Sequence, residues 1–224
     1  FTHFPKDPNC DVCNQCKINR AQCRSKTHGE PDDLPEPKAW LDALTADHKV
    51  MNEENASRHE DRVALIIHDR FTRFTQAYPA KTKSAEESIA ALQRFVGPEG
   101  KPKHVYTDNS KELIKAMKEL KWDGFHDTST PYRPQTNGVA ERSVRRVKEG
   151  TGCALVQSGF DEAWWSKAST CFCFLKNVCD QDVTSKTPWH LKYGFDFTGP
   201  IYPFGCEIQY KPITDKDKER LPSC

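Results

Sequence analysis

The chain has 224 residues, 29% of them charged and 36% hydrophobic, with a formal net charge of +1. That length suits one substantial domain with short appendages, or two small domains, and the composition is ordinary for a water-soluble protein. No apolar run approaches the roughly 18 residues of a membrane-spanning helix, no signal peptide is visible, and so little net charge announces no polyanionic partner.

Residues 1–29 form a zone of their own, with five Lys or Arg against two Asp. They hold Cys10, Cys13, Cys16 and Cys23, four of the ten cysteines in the chain. Zinc takes four ligands and commonly draws two from a CxxC pair, so His3, Cys10 and Cys13 have a ligand-like arrangement. A plain cysteine-containing tail is the alternative. The first residue is Phe1 rather than Met, as in a piece cut from a longer chain. The later cysteines Cys153, Cys171, Cys173 and Cys179 lie in apolar segments and read as small core residues. This distribution suits reduced intracellular thiols, not a secreted disulfide scaffold. Residues 30–38, EPDDLPEPK, with three prolines and four acids, read as an extended linker.

From Trp40 the pattern becomes regular. AWLDALTADHKV is a first strand, DRVALIIHD a buried strand and TRFTQAYP a third, with Asp69 to Arg73 making the tight connection between the last two. SAEESIAALQRFVG is an amphipathic helix with Ser84 as N-cap and Glu87 completing a capping box. A strand at HVYT, a helix over Lys111–Leu120 and a short strand at GFHDTS follow. Two long helices, Val139–Gln157 and Asp161–Val178, close the series. Three strands as a meander, then alternating helix and strand, predict an α/β fold on one central sheet. Trp164 and Trp165 read as packing anchors.

The acids carry the chemistry. Asp108 ends the fourth strand, and Glu141 opens a helix bearing Arg142, Arg145, Arg146 and Lys148, behind a loop rich in Pro, Gln, Asn and Gly. Ala140, Val144, Val147, Thr151 and Ala154 form the face of that helix that should pack on the sheet, with Glu141 at its margin and Arg145 and Lys148 on the side of Glu141. A third acid comes from Asp42, Asp47, Asp61 or Asp69, and Asp69 opens a turn where Asp serves geometry. Three converging carboxylates suffice for two divalent cations, which stabilise the attacking and leaving oxygens of an in-line phosphoryl transfer. Any one acid among the 32 present is otherwise a solvated surface charge; placement on strand ends and a basic helix distinguishes these. In the loop, Tyr132 can stack on a base or sugar, and Gln135 and Asn137 can bond to DNA. The structural alternative is a helix-entry loop with Asn137 as N-cap. For Arg142 and Arg146 a solvated face stands equal to a DNA contact.

The strings TADH around Asp47, YTDNS around Asp108 and TPYRPQTNGVAER around Glu141 resemble the catalytic core of retroviral and retrotransposon integrases. The resemblance covers Trp40 to Val178, and the 32 residues between Asp108 and Glu141 are close to the family's spacing. TPWHLKYG and PFGCEIQY extend it more weakly. The resemblance implies a ribonuclease-H-like fold, a mixed central sheet flanked by helices, with a small Cys-rich N-terminal segment. It selects Asp47 as the first acid and implies two Mg2+ or Mn2+ ions at Asp47, Asp108 and Glu141. It also implies trimming of element DNA 3′ ends and strand transfer into target DNA. The loop Thr130–Gly138 would position DNA ends, with Tyr132, Arg133, Gln135, Asn137, Arg145 and Lys148 on nucleic acid. Residues 1–29 resemble the C-terminal half of the His-His-Cys-Cys zinc domain that precedes such cores, whose upstream histidine would fall before residue 1. The expected organisation is that partial zinc segment over 1–29, a linker over 30–38, the core over 39–180 and an extension over 181–224. The expected partners are double-stranded DNA and further copies of the chain, with no membrane, and the expected place of action is the nucleus. A cut-and-paste transposase and a domesticated, non-catalytic DNA-binding protein are the alternatives.

Overall fold

The computed structural model describes residues 2–17, 36–128 and 138–208. Among them, five strands form one mixed sheet in the order β3-β2-β1-β4-β5: β1 (Leu44–Val50), β2 (Val63–Asp69), β3 (Thr75–Ala80), β4 (His104–Thr107) and β5 (Phe125–Thr128). The first three make the antiparallel meander that the sequence predicts, while β4 runs parallel to β1 and β5 parallel to β4. Parallel neighbours need long crossovers, supplied by α2 (Ala85–Val96) and α3 (Lys111–Leu120). At the start of α2 the Ser84 hydroxyl accepts the Glu87 N–H at 3.2 Å, the predicted cap.

The apolar run of β2 is continuous because both of its faces are covered. Leu65 and Ile67, with Leu44, Ala46 and Val105, pack on Leu92 and Phe95 of α2 and Leu113 of α3. Ala64 and Ile66 face the other way, toward α4 (Gly138–Ser158) and α5 (Trp165–Cys179), where Val147, Leu155, Trp165 and Phe172 cover them. Helices α4 and α5 touch where only glycine fits: a Cβ on Gly150 would lie 2.1 Å from Phe172 Cε2. Of the predicted inner face of α4, Ala140, Val147, Thr151 and Ala154 are buried, and Val144 packs at the margin.

The first strand and the last long helix begin four or more residues later than expected. The first strand starts at Leu44 because the Asp42 carboxylate accepts the N–H groups of Lys38 and Ala39, both at 2.8 Å, and holds a turn there. The last long helix starts at Trp165, after a 3-10 turn over Glu162–Trp164 that Asp161 caps. Of the later cysteines, Cys153 and Cys173 are buried as expected, while Cys171 and Cys179 are only partly so.

The short helix α1 (Asp11–Cys16) lies against α4, and the Phe4 ring sits 6.1 Å from that of Phe172, so the N-terminal segment packs on the core. At the other end of the chain, α6 (Pro188–Tyr193) places the Lys192 ammonium 4.0 Å from the Phe74 ring centroid and 4.2 Å from that of Trp40.

Edge strand β3 is closed by a side chain. Asn177 of α5, fully buried, accepts the Thr75 N–H at 3.0 Å and donates to the Thr75 carbonyl at 2.8 Å, standing in for a neighbouring strand. Asn177→Ala leaves both backbone groups buried without that partner and is expected to cost about 2–4 kcal/mol. The measurement is the urea midpoint, which should fall with an unchanged m-value. A midpoint at the parental value would show the bridge to be dispensable.

Candidate active site

The last register pair between β1 and β4 is Ala46 with Thr107, so Asp47 follows it within β1 and Asp108 just beyond the end of β4. Open α/β sheets carry their sites at this end of their strands. Asp47 pairs across β2 with Ile66, whose side chain packs against Val147, so Asp47 shares the face covered by α4. Glu141 lies exposed in the first turn of that helix, next to the buried Ala140. Asp108 is half-buried, and its Oδ1 accepts the Ser110 N–H at 3.3 Å at the entrance to α3.

Electrostatics tie the three acids together. Burial pushes the Asp47 carboxyl up to about 6; the charge of Asp108 raises it next and that of Glu141 adds to it, against the His48 N–H and Lys83. The competing aspartates are engaged elsewhere. Asp42 holds its turn and pairs with Lys103 at 2.7 Å, and Asp61 accepts the Ser57 hydroxyl at 2.7 Å. Asp69 pairs with Leu44, three register positions or about 10 Å from Asp47. Its carboxylate accepts the Thr72 N–H and hydroxyl, each at 2.7 Å, and the Leu41 N–H at 3.0 Å.

The cations divide. Arg145 pairs with Glu149 at 2.7 Å along α4, while Arg146 turns away from the acids and lies 5.6 Å from the Phe4 ring centroid. Lys148 is exposed and acts electrostatically on Lys49. Sequence reading overlooked Lys49 and Lys83. Strand alternation alone would have found the former, since Lys49 stands two residues after Asp47 and therefore on its face. Lys83 pairs with Glu112 at 3.9 Å and opposes the rise at Asp47. His48 belongs to the opposite face, 3.3 Å from the Ser88 hydroxyl, and burial with Lys83 holds it down at about 4. Tyr132, Arg133, Gln135 and Asn137 lie outside the described residues.

A second cluster sits in the N-terminal segment. Among the described residues, His3, Cys10 and Cys13 are the one group of three whose ligand atoms all lie within 4.8 Å of one another. The sulfurs of Cys10 and Cys13 are 3.6 and 3.5 Å from His3 Nδ1. His3 Nε2 meets the Gln157 amide oxygen of α4 at 3.1 Å. With the ring proton on Nε2, donated to that oxygen, the Nδ1 lone pair would face the thiols, the tautomer a metal ligand needs. Cys16 turns instead to the Cys153 thiol of α4, and burial pushes both thiols up, Cys153 to about 12.

No family model matches the chain. In sequence it is 27% identical over 154 residues to the retrovirus-related Pol polyprotein from transposon RE1 of Arabidopsis thaliana, covering 65% of this chain and 10% of that protein. It is 25% identical over 146 residues to the transposon Tf2-3 polyprotein of Schizosaccharomyces pombe, covering 63% and 11%. In structure it matches a chain of the simian T-cell lymphotropic virus intasome in complex with PP2A regulatory subunit B56 gamma. That match has a TM-score of 0.59 and 21% identity, over 92% of this chain and 68% of the other. The chain is a relative of retrotransposon Pol polyproteins with an integrase-core fold. The HTLV-2 integrase catalytic core in complex with magnesium agrees, with a TM-score of 0.52 and 17% identity over 69% of this chain and 98% of that one. The expected ribonuclease-H-like arrangement, a mixed five-stranded sheet with helices and a Cys/His cluster near the N-terminus, is the arrangement found. The integrase-like core spans about a tenth of the length of the polyproteins it matches.

Proposed function

We propose that this chain is the catalytic region of an integrase, which trims the 3′ ends of element DNA and transfers them into target DNA. The observation that carries the reading is that Asp47, on β1, lies in the field of both Asp108, just after the neighbouring parallel strand, and Glu141. An all-oxygen set of hard ligands, with its net negative charge only partly offset by Lys83, fits Mg2+ or Mn2+. Bound there, two such ions would supply charge stabilisation for the attacking and leaving oxygens of an in-line displacement. The protein's own part is placement. Asp47 lies on β1, the Ser110 N–H orients Asp108 just after β4, and Glu141 opens α4, whose inner face is buried. No covalent intermediate with the enzyme is required.

His3, Cys10 and Cys13 would hold Zn2+, whose fourth ligand is not among the described residues. Double-stranded DNA is the proposed partner, with Lys148 and Arg145 on its backbone, and several copies of the chain would assemble on it in the nucleus. The intasome and the HTLV-2 core, solved in a trimeric form, support assembly by analogy of fold.

The test is a joining reaction. The chain is incubated with Mn2+, a pool of duplex oligonucleotides with varied ends, and supercoiled plasmid, and the junctions are sequenced. Oligonucleotide 3′ ends joined to plasmid, lost on adding EDTA, are the expected result. A reaction with neither joining nor nicking above the EDTA control would overturn the proposal.

A further inference from the structure

We propose that His126 is a positioning residue for the acid site, bracing the main chain of Asp108 through the hydroxyl of Thr107. The inference rests on the function proposed above and extends it to two residues outside the acid motif.

His126 lies on β5, paired in register with Val105 of β4, and Thr107 follows Val105 on the same side of that strand. Both side chains therefore stand on the sheet face that α2 and α3 cover. Thr107 is fully buried and His126 half-buried. The Thr107 hydroxyl donates to the Asp108 carbonyl at 2.9 Å, and His126 Nε2 lies 2.9 Å from the same hydroxyl oxygen. A carbonyl only accepts, and a hydroxyl has a single hydrogen to give. That hydrogen goes to Asp108, so the contact with His126 requires an Nε2–H that donates to the Thr107 oxygen. The brace runs in one direction, from the ring N–H through the hydroxyl to the Asp108 carbonyl, and each bond polarises the next.

Asp108 is placed to need it. The ladder between β4 and β5 ends at Thr107 with Thr128, so Asp108 stands just beyond the last strand pair. Its carboxylate accepts the Ser110 N–H and its carbonyl accepts the Thr107 hydroxyl, so the residue is held at both ends. A metal ligand held in place ahead of the cation spares the ion the cost of ordering it. The plain alternative is that His126 only fastens β5 to β4. The fold already contains such a fastening from the first residue of β4, where His104 Nε2 meets the Asp127 carboxylate at 2.7 Å. That second pair is the control.

Thr107→Val and His126→Leu break the brace, whereas Thr107→Ser and His126→Gln keep a hydroxyl and an N–H donor in its place. Mn2+ binding without DNA is followed through the paramagnetic resonance of the free ion, for these variants, Asp127→Ala and the 224-residue parent. The share of binding that Asp108→Asn abolishes belongs to the acid site. Thr107→Val and His126→Leu are expected to weaken that share about 10-fold, the low end for partners of metal ligands. They should also lower kcat for DNA joining with little change in KM. Their double variant should bind no more weakly than either single one, since both cut the same brace. Thr107→Ser and His126→Gln should keep most of the affinity, and Asp127→Ala all of it, whatever its melting temperature. Parental Mn2+ affinity in both Thr107→Val and His126→Leu, or an equal loss in Asp127→Ala, would overturn the brace and, in a parent that joins DNA, leave the integrase reading standing. A parent that joins no DNA and loses no Mn2+ binding on Asp108→Asn would overturn both.

Discussion

Glu141→Gln is expected to lower metal-dependent DNA joining by about 100-fold or more, since even partners of metal ligands are typically worth 10–100-fold. Duplex binding at low salt should stay at the parental level. The substitution is nearly isosteric and changes one charge on an exposed side chain, so the fold has no reason to respond. Packing of α4 depends on Ala140, Val147, Gly150 and Thr151, all of them buried. What disappears is one of the two acids that raise the Asp47 carboxyl. A second readout follows from that. In the variant the Asp47 carboxyl should titrate below the parental value of about 6, which NMR can follow through pH. Equal joining by variant and parent would refute the assignment of Glu141. An unmoved Asp47 titration would show that the two acids do not share a site.

Much of this arrangement was legible in the residues because local rules and the fold agree. Continuous apolar character marked β2 as covered on both faces, Ser84 and Glu87 marked the start of α2, and the inner face of α4 followed from helical spacing. Asp47, by contrast, became the first acid through resemblance; the residues alone left Asp42, Asp61 and Asp69 open. The structure separates them physically. Each of those three is committed to a turn or a hydroxyl, whereas Asp47 sits in the field of two other acids. The packing of the N-terminal segment on α4 was not legible. It depends on contacts between residues far apart in sequence, such as Phe4 with Phe172 and His3 with Gln157, for which no local pattern exists.

The same substitution at two aspartates should move stability in opposite directions. In the folded protein the Asp47 carboxyl stands at about 6 against an ordinary 3.8. Between roughly pH 4 and 6 the folded state therefore holds a proton that the unfolded chain has released, so stability falls as pH rises through that window. Above it the full penalty of an ionised, crowded carboxylate remains, on the order of 1–3 kcal/mol. Asp47→Asn removes the penalty and should raise the melting temperature at neutral pH by about 2–10 °C. Mg2+ or Mn2+ should stabilise the parent, by relieving the same crowding, and should do little for the variant. Asp69 offers the contrast. Burial raises its carboxyl too, but its oxygens accept N–H groups from Thr72 and Leu41 and the Thr72 hydroxyl. An Asn amide there would set a donor against donors, so Asp69→Asn should destabilise the fold and leave the response to metal intact. Thermal melts of both variants with and without the cation decide between the two positions. Stabilisation by metal that survives in Asp47→Asn and vanishes in Asp69→Asn would move the cation site to the other aspartate.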